Sequence, residues 1–424
     1  MIWLRDNTQH NVTMVLDDDV LRCLRCKHQP EIDFATLDDA LDVDIVEHLQ
    51  LDGDAGEFPP DVSNDCGYEP LGECIDDRDA NMAAPQADQI IDLTTQSLEL
   101  SRLSTSRRQH QFARRGWLDR TFDVLAYGDP NIDYVFETAS VPLVDEKLLG
   151  RRLGTFAGGT AANVACATSR LGARVAGYGR VGNDADGRML LTANDETGVS
   201  NAFLRVVEQQ TAAATIIVDA SGEKALVYAP MSGEPVDEVA LSAALQQSRL
   251  LYAIPYDLAE FLQVTALAHA HGVAVAIDIE AAVAPTRARL DALLECSDIV
   301  FMNEGGFRAT SDAEIAVEAI RPLLDKGPQL IVVTMGAAGA IACSRTAWAK
   351  HPAFPVKMVD ATGAGDCFNG AFLAACFKGR TLEDTLAFAC AAASIAVSAV
   401  GARTALPTME NVERLISDQS VGRG

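Results

Sequence analysis

The chain lacks several patterns that would assign its function directly. No Gly-Lys-Ser or Gly-Lys-Thr occurs in the 424 residues, which excludes a P-loop nucleotide site. Basic residues are scarce, with 34 Lys and Arg against 60 Asp and Glu, and the net charge is −26. This balance argues against nucleic acid and anionic membranes as partners. A small phosphate ligand stays compatible, because backbone N–H groups can hold it.

Long hydrophobic runs are missing as well. The first ten residues, MIWLRDNTQH, carry charges where a secretory signal peptide needs an apolar stretch. The longest uncharged run, residues 385–402, is rich in Ala and Ser. It is slightly shorter than the ~20 residues that cross a bilayer, so it predicts a buried helix. We therefore expect a soluble, cytoplasmic protein.

The negative charge is concentrated near the start of the chain. Residues 1 to roughly 100 hold about two-fifths of the acidic residues and few basic ones. This asymmetry predicts an acidic extension over residues 1–116, with helix-like stretches at 36–51 and 87–103 and a basic linker at its end. Residues 117–424 then form the main domain.

The ten cysteines do not suggest a disulfide framework. Four lie in Ala- and Val-rich runs and are expected to be buried thiols of a reducing compartment: Cys166, Cys343, Cys376 and Cys390. Four in the extension offer ligands for zinc, although their irregular spacing favours solvated thiols: Cys23, Cys26, Cys66 and Cys74.

The main domain has the pattern of an α/β fold. Short apolar strands are predicted at 121–128, 273–279, 297–303 and 329–336, and helices at 259–272 and 312–327. Apolar strands that alternate with helices indicate a mainly parallel sheet covered on both faces. Two further stretches, 132–140 and 211–230, resemble antiparallel strands, the second with a hairpin turn. Such a hairpin predicts a lid or a small second sheet.

A Gly-x-Gly-x-x-Gly occurs at Gly177, Gly179 and Gly182. A dinucleotide site would need a helix that starts at the motif and an acidic residue about 20 positions later. Turn residues follow instead, so the motif only weakly favours an NAD-dependent dehydrogenase.

Two polar motifs are candidates for binding a hydroxylated ligand. Asn131 and Asp133 are two positions apart, so in an extended strand they project to one side. Gly158 and Gly159 precede a small-residue helix that carries Asn163, and they would let a ligand approach the backbone. A simple turn explains the first motif, and a glycine turn into a packed helix explains the second, without any ligand.

The stretch 358-MVDATGAGDCFNGAF-372 is the third candidate. Gly363, Ala364 and Gly365 leave backbone N–H groups unobstructed, and Asp366 stands where a helix begins. The first turn of a helix offers N–H donors and a partial positive charge, so this turn can hold an anion. The alternative is that Asp366 only caps the helix.

Together these stretches resemble the ribokinase-like (PfkB) family of carbohydrate and nucleoside kinases over residues 121–415. Five landmarks stand in the family's order: Gly128…Asn131-x-Asp133, 158-GGTAAN-163, 179-GRVGNDADG-187, 334-TMGAAGA-340 and 360-DATGAGDCFNGAF-372, with 401-GARTALP-407 after them. The resemblance implies a three-layer α/β/α sandwich with a β-sheet lid, whose strands would lie near 132–146 and 211–230.

The resemblance also implies residue roles, with ATP and Mg²⁺ as cofactors. Asp366 would be the general base, and the turn Gly363, Ala364 and Gly365 the anion hole. The sugar would be held by Asn131, Asp133, Gly158, Gly159 and Asn163. The nucleotide side would comprise Asn303, Thr334, Gly336, Gly339 and Asp360, with a small-residue helix at 388–399 beneath the adenine. The lid would also form a dimer surface.

The chain departs from the family pattern at several points. Gly306 stands where the family often has Glu, so both the placement of metal-bound water and the question whether Glu304 compensates stay open. Thr160-Ala161 replaces the ribokinase Lys and is closer to the fructokinase pattern. Ala405 replaces a common Ser, so a monovalent cation beside Asp360 is uncertain.

The acceptor is not identified by sequence. A free sugar of the ribose or fructose type is the first expectation. A nucleoside is the second, with Tyr134, Phe136 and Tyr228 as candidates for stacking. A kinase-like fold kept as a regulatory module is the alternative that is not an enzyme.

Overall fold

The protein is described by a computed structural model that covers residues 120–219 and 223–421. The acidic extension, its two predicted helices and its four cysteines lie outside the described residues. The division of the chain near residue 117 therefore stays a prediction.

A nine-stranded sheet forms the centre of the described domain, in the order β13-β12-β11-β10-β9-β8-β1-β4-β5. The seven strands from β11 to β5 are parallel, and β12 and β13 add an antiparallel edge. The strands are β1 (Phe122–Tyr127), β4 (Val175–Gly182), β5 (Ser200–Val207), β8 (Ser248–Ala253), β9 (Ala274–Ile279), β10 (Ile299–Asn303), β11 (Leu330–Thr334), β12 (Ala340–Ser344) and β13 (Trp348–His351). All four apolar strands predicted from the sequence are present.

Helices cover both faces of this sheet. One face packs against α1 (Thr160–Arg170), α8 (Ala364–Phe377), α9 (Leu382–Ala396) and α10 (Met409–Val421). The other face packs against α3 (Glu238–Gln246), α4 (Leu258–Ala270), α5 (Arg287–Glu295) and the short helices α6 (Glu304–Arg308) and α7 (Val317–Ile320). The three-layer α/β/α architecture is thus confirmed.

A second sheet, called the lid sheet below, has the order β3-β2-β6-β7. Its strands are β2 (Asn131–Thr138), β3 (Gly150–Gly158), β6 (Ala213–Asp219) and β7 (Lys224–Ala229). The helix α2 (Ala185–Thr197) packs beside it, where Leu190 meets Ile132 of β2 and Val181 of β4. The small second sheet and the hairpin of β6 and β7 are as predicted.

The stretch predicted as antiparallel at 132–140 contains most of β2, which pairs antiparallel with β3 and parallel with β6. The extent of the lid strands was predicted less well. Residues 141–146 form no strand, and β3, which was not predicted, takes the edge position. The strand β3 was not predicted because its sequence, GRRLGTFAG, contains three glycines and two arginines, and both residue types weaken the apolar strand signal.

The helix predicted at 312–327 is largely absent. The chain forms one α-turn, α7, and then a 3₁₀ segment at Arg321–Lys326. Pro322 lacks the N–H that a continued α-helix needs, which explains the break. Leu323 and Leu324 are nevertheless buried, so the apolar pattern reports the core and not a regular helix.

The three glycines of the Gly-x-Gly-x-x-Gly motif all lie within β4. The next helix, α2, begins only at Ala185 with Asp184 as its cap. The strand-turn-helix geometry of a dinucleotide site is therefore not formed here.

The uncharged run at 385–402 contributes most of the buried helix α9. Among the described residues, no helix is long and apolar enough to cross a membrane. Cys166, Cys343 and Cys390 are buried as expected, whereas Cys376 near the end of α8 is partly exposed.

Candidate active site

The acceptor-side motifs meet where β2 and β3 pair. Asn131 lies opposite Gly158, and the Asn131 Nδ2 donates to Asp133 Oδ1 at 2.7 Å. A Cβ at Gly158 would lie 2.4 Å from an oxygen of Asp133, so glycine is needed for this carboxylate to lie against the strand. Gly159, with φ of 92°, precedes the first residue of α1 and starts that helix. Packing thus explains both glycines, in agreement with the alternative of a glycine turn into a packed helix.

The catalytic-type motif begins α8. Gly363 is the residue before the helix, with φ of 75°, and Asp366 is the third helical residue. Asp366 is therefore not the cap of this helix, and the alternative that Asp366 only caps it is wrong. Instead, the Nδ2 of Asn163 donates to Asp366 Oδ2 at 2.8 Å. This hydrogen bond joins the di-glycine motif to the Gly-Ala-Gly-Asp motif.

The environment of Asp366 favours its neutral form. Burial raises the pKa of this carboxyl group to about 7, and the hydrogen bond from Asn163 opposes the shift. The charge of Glu280 raises the pKa further, and the charge of Arg403 lowers it. A carboxylate with a pKa near neutrality can accept a proton from a hydroxyl group and release it again.

A second buried carboxyl group lies nearby on β9. Burial and the charge of Asp366 raise the pKa of Asp278 to about 7. Asp278 Oδ2 accepts a hydrogen bond of 2.8 Å from Asn369, which lies one helical turn after Asp366. The same Asn369 amide also donates to the hydroxyl of Tyr252 at 3.1 Å. This network anchors α8 to the centre of the sheet.

The turn before α8 has one packed glycine and one open glycine. A Cβ at Gly363 would lie 2.5 Å from the Cβ of Ala402, so this residue packs against the chain's last loop. A Cβ at Gly365 would meet nothing within 4 Å. The Ala364 N–H donates to the Ala361 carbonyl oxygen at 3.2 Å. The next N–H groups of α8 have no intrahelical acceptors, as in any helix, so the open side at Gly365 can receive an anion.

Asp360 holds this turn in place. Its Oδ1 accepts hydrogen bonds from the N–H and hydroxyl of Thr362, at 2.9 and 2.7 Å. Its Oδ2 accepts from the N–H of Gly401 at 2.9 Å. Burial alone would raise the pKa of Asp360, but these hydrogen bonds and the charge of Lys224 outweigh it and lower the pKa.

The residues predicted for the nucleotide side lie at adjacent strand ends. Asn303 ends β10 and pairs with Thr334 at the end of β11. Asn303 Oδ1 accepts from the Gly306 N–H at 2.7 Å and caps α6. Gly336 has φ of 53° and open space around its Cα, whereas a Cβ at Gly339 would lie 2.0 Å from the His351 carbonyl oxygen. Gly339 is therefore required by a tight turn.

The Gly306 substitution has a structural reason. A Cβ at this position would lie 2.0 Å from the Ile279 carbonyl oxygen, so this backbone excludes any side chain. Glu304 is half exposed and accepts a hydrogen bond from Arg308, one helical turn later, at 2.9 Å. In the described part of the chain, no group of three or more His, Cys, Asp or Glu residues is arranged to hold a metal ion.

Two cations near the site were not predicted from the sequence. Arg403 Nε donates to Asn163 Oδ1 at 2.7 Å. Lys224 of the lid strand β7 donates to Thr362 Oγ1 at 3.1 Å. Arg403 belongs to the quoted 401-GARTALP-407 segment, and only its position in that motif could have indicated it.

Comparison with known proteins identifies what the chain resembles. The family model described as pfkB family carbohydrate kinase matches residues 121–409. A ribokinase from Haemophilus influenzae is 30% identical over 301 residues, which are 69% of this chain and 96% of that protein.

Solved structures show the same fold. An Arabidopsis thaliana ribokinase complexed with ribose and ATP has a TM-score of 0.62 at 24% identity and covers 70% of this chain and 99% of its own. A Xylella fastidiosa fructokinase with bound ATP has a TM-score of 0.59 at 26% identity, with the same coverage of both chains.

Proposed function

The chain belongs to the pfkB family of carbohydrate kinases, and we propose that it transfers the γ-phosphate of ATP to a hydroxyl group of a small neutral sugar. The sugar is of the ribose or fructose type. The observation that carries the proposal is the hydrogen bond between Asn163 and Asp366. It brings a hydroxyl-binding amide and a basic carboxylate together at the first turn of α8.

In the proposed reaction Asp366 takes the proton from the acceptor hydroxyl. The oxygen then forms a bond to the γ-phosphorus while the bond from that phosphorus to the β-γ bridging oxygen breaks, and ADP leaves. The turn Gly363, Ala364 and Gly365 stabilises the negative charge on the transferring group through backbone N–H groups, of which the Ala364 N–H also donates to the Ala361 carbonyl oxygen at 3.2 Å. Such preorganised donors are typically the largest contribution to this kind of catalysis.

The acceptor is held by Asn131, Asp133, Gly158, Gly159 and Asn163 in this proposal. Carboxylate and amide groups suit the hydroxyls of a neutral polyol. The charges on this side, from Asp133 and Asp366 with Arg403 engaged by neighbouring groups, disfavour a sugar acid.

ATP lies against Asn303, Thr334, Gly336, Gly339 and Asp360, over the open turn at Gly365. When bound with ATP, Mg²⁺ would supply positive charge to the phosphates. Glu280 directly follows β9, and its charge raises the pKa of Asp366. We therefore propose that the Glu280 carboxylate would orient metal-bound waters.

A monovalent cation beside Asp360 has less support. Both oxygens of Asp360 already accept hydrogen bonds, and the Lys224 ammonium lies 4.0 Å from Oδ1. We expect activity in the absence of K⁺. Activation by K⁺, with tetramethylammonium as the inert cation in the same titration, would instead support a cation site beside Asp360.

The lid sheet offers a surface for a second copy of the chain. β7 is an edge strand whose Leu226 and Val227 are 59% and 71% exposed. An apolar edge with unpaired backbone groups favours pairing with another strand. A homodimer is expected in light scattering, and Val227→Lys should shift it toward monomer.

One observation favours a nucleoside as a second candidate acceptor. Asp133, Ala214 and Tyr228 form one row across β2, β6 and β7, so their side chains share a face of the lid sheet. Tyr228 then lies about 10 Å from Asp133, twice the spacing of neighbouring strands. That span suits a sugar with a flat base beyond it. Tyr134 does not contribute, because it is on the opposite face and bonds to Asp186.

The test is ADP release from ATP and Mg²⁺ with a panel of pentoses, ketohexoses, sugar acids and nucleosides. Turnover on ribose or fructose that Asp366→Asn abolishes would support the proposal, and turnover on adenosine alone would favour the second candidate. ATP binding without turnover on any member would instead indicate a regulatory module.

A further inference from the structure

Arg403 lies in the loop between α9 and α10 and reaches the acceptor side of the site. Its Nε donates to Asn163 Oδ1 at 2.7 Å, and its Nη2 donates to the Gly158 carbonyl oxygen at 2.5 Å. Its Nη1 lies 3.4 Å from Asn194 Oδ1 on α2. One guanidinium thus ties the last loop of the domain to α1, α2 and the end of β3.

These contacts determine how the Asn163 amide is oriented. An asparagine side chain has an oxygen that only accepts and an NH₂ group that only donates. A guanidinium only donates, so Arg403 must face Oδ1, and the NH₂ group then points to Asp366. If the amide were reversed, its oxygen would face the carboxylate of Asp366, and an acceptor would oppose an acceptor.

We propose that Arg403 is a positioning residue, which locks the Asn163 amide in the orientation that holds the Asp366 carboxylate for proton transfer. The inference rests on the proposed role of Asp366 as the base. Arg403 has a second effect through its charge, since a nearby cation favours the ionised form of a carboxyl group.

Several charged and titratable groups surround Asp366. They are Asp133 from β2, Asp278 and Glu280 from the end of β9, Tyr252 from β8, Tyr256 from the following loop, Cys367 from α8, and Arg403. Arg403 is the positive member of this set. Its removal should therefore raise the pKa of Asp366, because the remaining carboxylates disfavour a further negative charge.

The first measurement is a ¹³C NMR titration of the Asp carboxyl groups in the protein without substrate. Asp366→Asn assigns the Asp366 signal, and wild type is compared with Arg403→Ala and Arg403→Lys. We expect Arg403→Ala to raise the Asp366 midpoint by about half to one pH unit and Arg403→Lys to restore most of it. Arg414→Ala, which removes an exposed Arg from α10, is the matched control and should leave the midpoint unchanged.

The second measurement is the pH profile of kcat with ribose and fructose as acceptors. Arg403→Ala should lower kcat about 10- to 100-fold, with a smaller change in KM, because a misoriented base misplaces the reaction geometry. The part of its effect on kcat that comes from the orientation of Asn163 should disappear when Asn163→Ala is already present, whereas the effect of the Arg403 charge on Asp366 remains.

An unchanged Asp366 midpoint together with an unchanged kcat in folded Arg403→Ala would overturn the inference. If Arg403→Ala does not fold, kcat of Arg403→Lys decides, because lysine keeps the positive charge but cannot make all three contacts. An unchanged kcat in Arg403→Lys would then overturn the inference. Failure of the proposed function would look different, since wild type would then turn over no member of the panel, or Asp366→Asn would keep wild-type kcat.

Discussion

Asn163 and Asp366 are hydrogen-bonded at 2.8 Å although 203 positions separate them in the sequence. Asn163 lies in the first turn of α1 and Asp366 in the first turn of α8. The two helices pack side by side on one face of the sheet, so their first turns open toward the same space. Each motif alone had a purely structural explanation, and the contact between them is what favours catalysis.

The first prediction concerns Asp366. Asp366→Asn keeps the shape and the hydrogen bond from Asn163 but cannot accept a proton. Because general bases typically contribute 10²- to 10⁴-fold, kcat should fall by about that factor while ATP binding is kept. Asp418→Asn, on the exposed side of α10, is the control and should keep wild-type kcat. Equal kcat in wild type and Asp366→Asn would rule out the assigned base.

The second prediction concerns pH and activity. The base must be ionised, and burial raises its pKa to about 7 in the protein without ligands. We therefore expect kcat/KM to rise with pH up to about 7 and to level off above it. The measurement is kcat/KM for the active sugar from pH 5.5 to 9 at constant ionic strength. A rise in kcat/KM that is centred near pH 4 would contradict the buried environment of Asp366.

The same shift has a consequence for stability. Asp366 binds its proton more tightly in the folded chain, so this group stabilises the fold below its unfolded pKa, and that stability is lost as pH rises through about 7. Asp366→Asn should therefore raise Tm at pH 8 and raise it less at pH 5, where only part of this stability has been lost. Thermal unfolding at the two pH values tests this, and an equal Tm shift at both would argue against it.

Much of the fold could be predicted because its signals are local. The apolar strands β1, β9, β10 and β11 are short and continuous, and the turn before α8 contains the glycines that its geometry needs. Where local signals conflict with packing, prediction failed. The edge strand β3 is rich in glycine because the side chains of Phe156 and Asp133 occupy the space that Cβ atoms at Gly154 and Gly158 would fill.

The site was predicted less completely for the same reason. Side chains within one motif could be named, but the partners that orient them come from distant segments. Arg403 in a polar loop looks like an ordinary solvated residue, and Lys224 looks like a residue of an edge strand. Their contacts with Asn163 and Thr362 depend on the packing of the whole domain.

The third prediction separates a structural glycine from a functional one. Gly306→Ala places a Cβ 2.0 Å from the Ile279 carbonyl oxygen, so the backbone must move and stability should fall by about 2 kcal/mol or more. Gly365→Ala meets nothing within 4 Å and lies in a helix, where Ala is preferred, so stability should be kept or increased. Its methyl group nevertheless fills the open side of the turn, and kcat should fall.

Thermal unfolding and kcat of both variants form one experiment. The expected result is a crossed pattern in which the destabilised variant, Gly306→Ala, keeps the larger share of its activity per folded molecule. If Gly365→Ala were stable and fully active, the phosphate would not approach this turn.

The last prediction concerns Lys224, which reaches the turn from the lid sheet. Its ammonium donates to Thr362 Oγ1 at 3.1 Å, and the Thr362 hydroxyl donates in turn to Asp360 Oδ1 at 2.7 Å. Lys224 is about half exposed, so the contact is weak as a source of stability. A positive charge beside an anion-binding turn has more effect on a reaction that builds up negative charge there. Lys224→Ala should therefore lower kcat roughly 10-fold and leave Tm nearly unchanged.

Lys350→Ala removes an exposed lysine from β13 and serves as the control. Addition of ethylammonium should restore part of the kcat of Lys224→Ala but not that of Lys224→Met, whose side chain fills the same space without charge. Equal kcat in all three lysine variants would mean that the lid contributes no charge to the phosphoryl group.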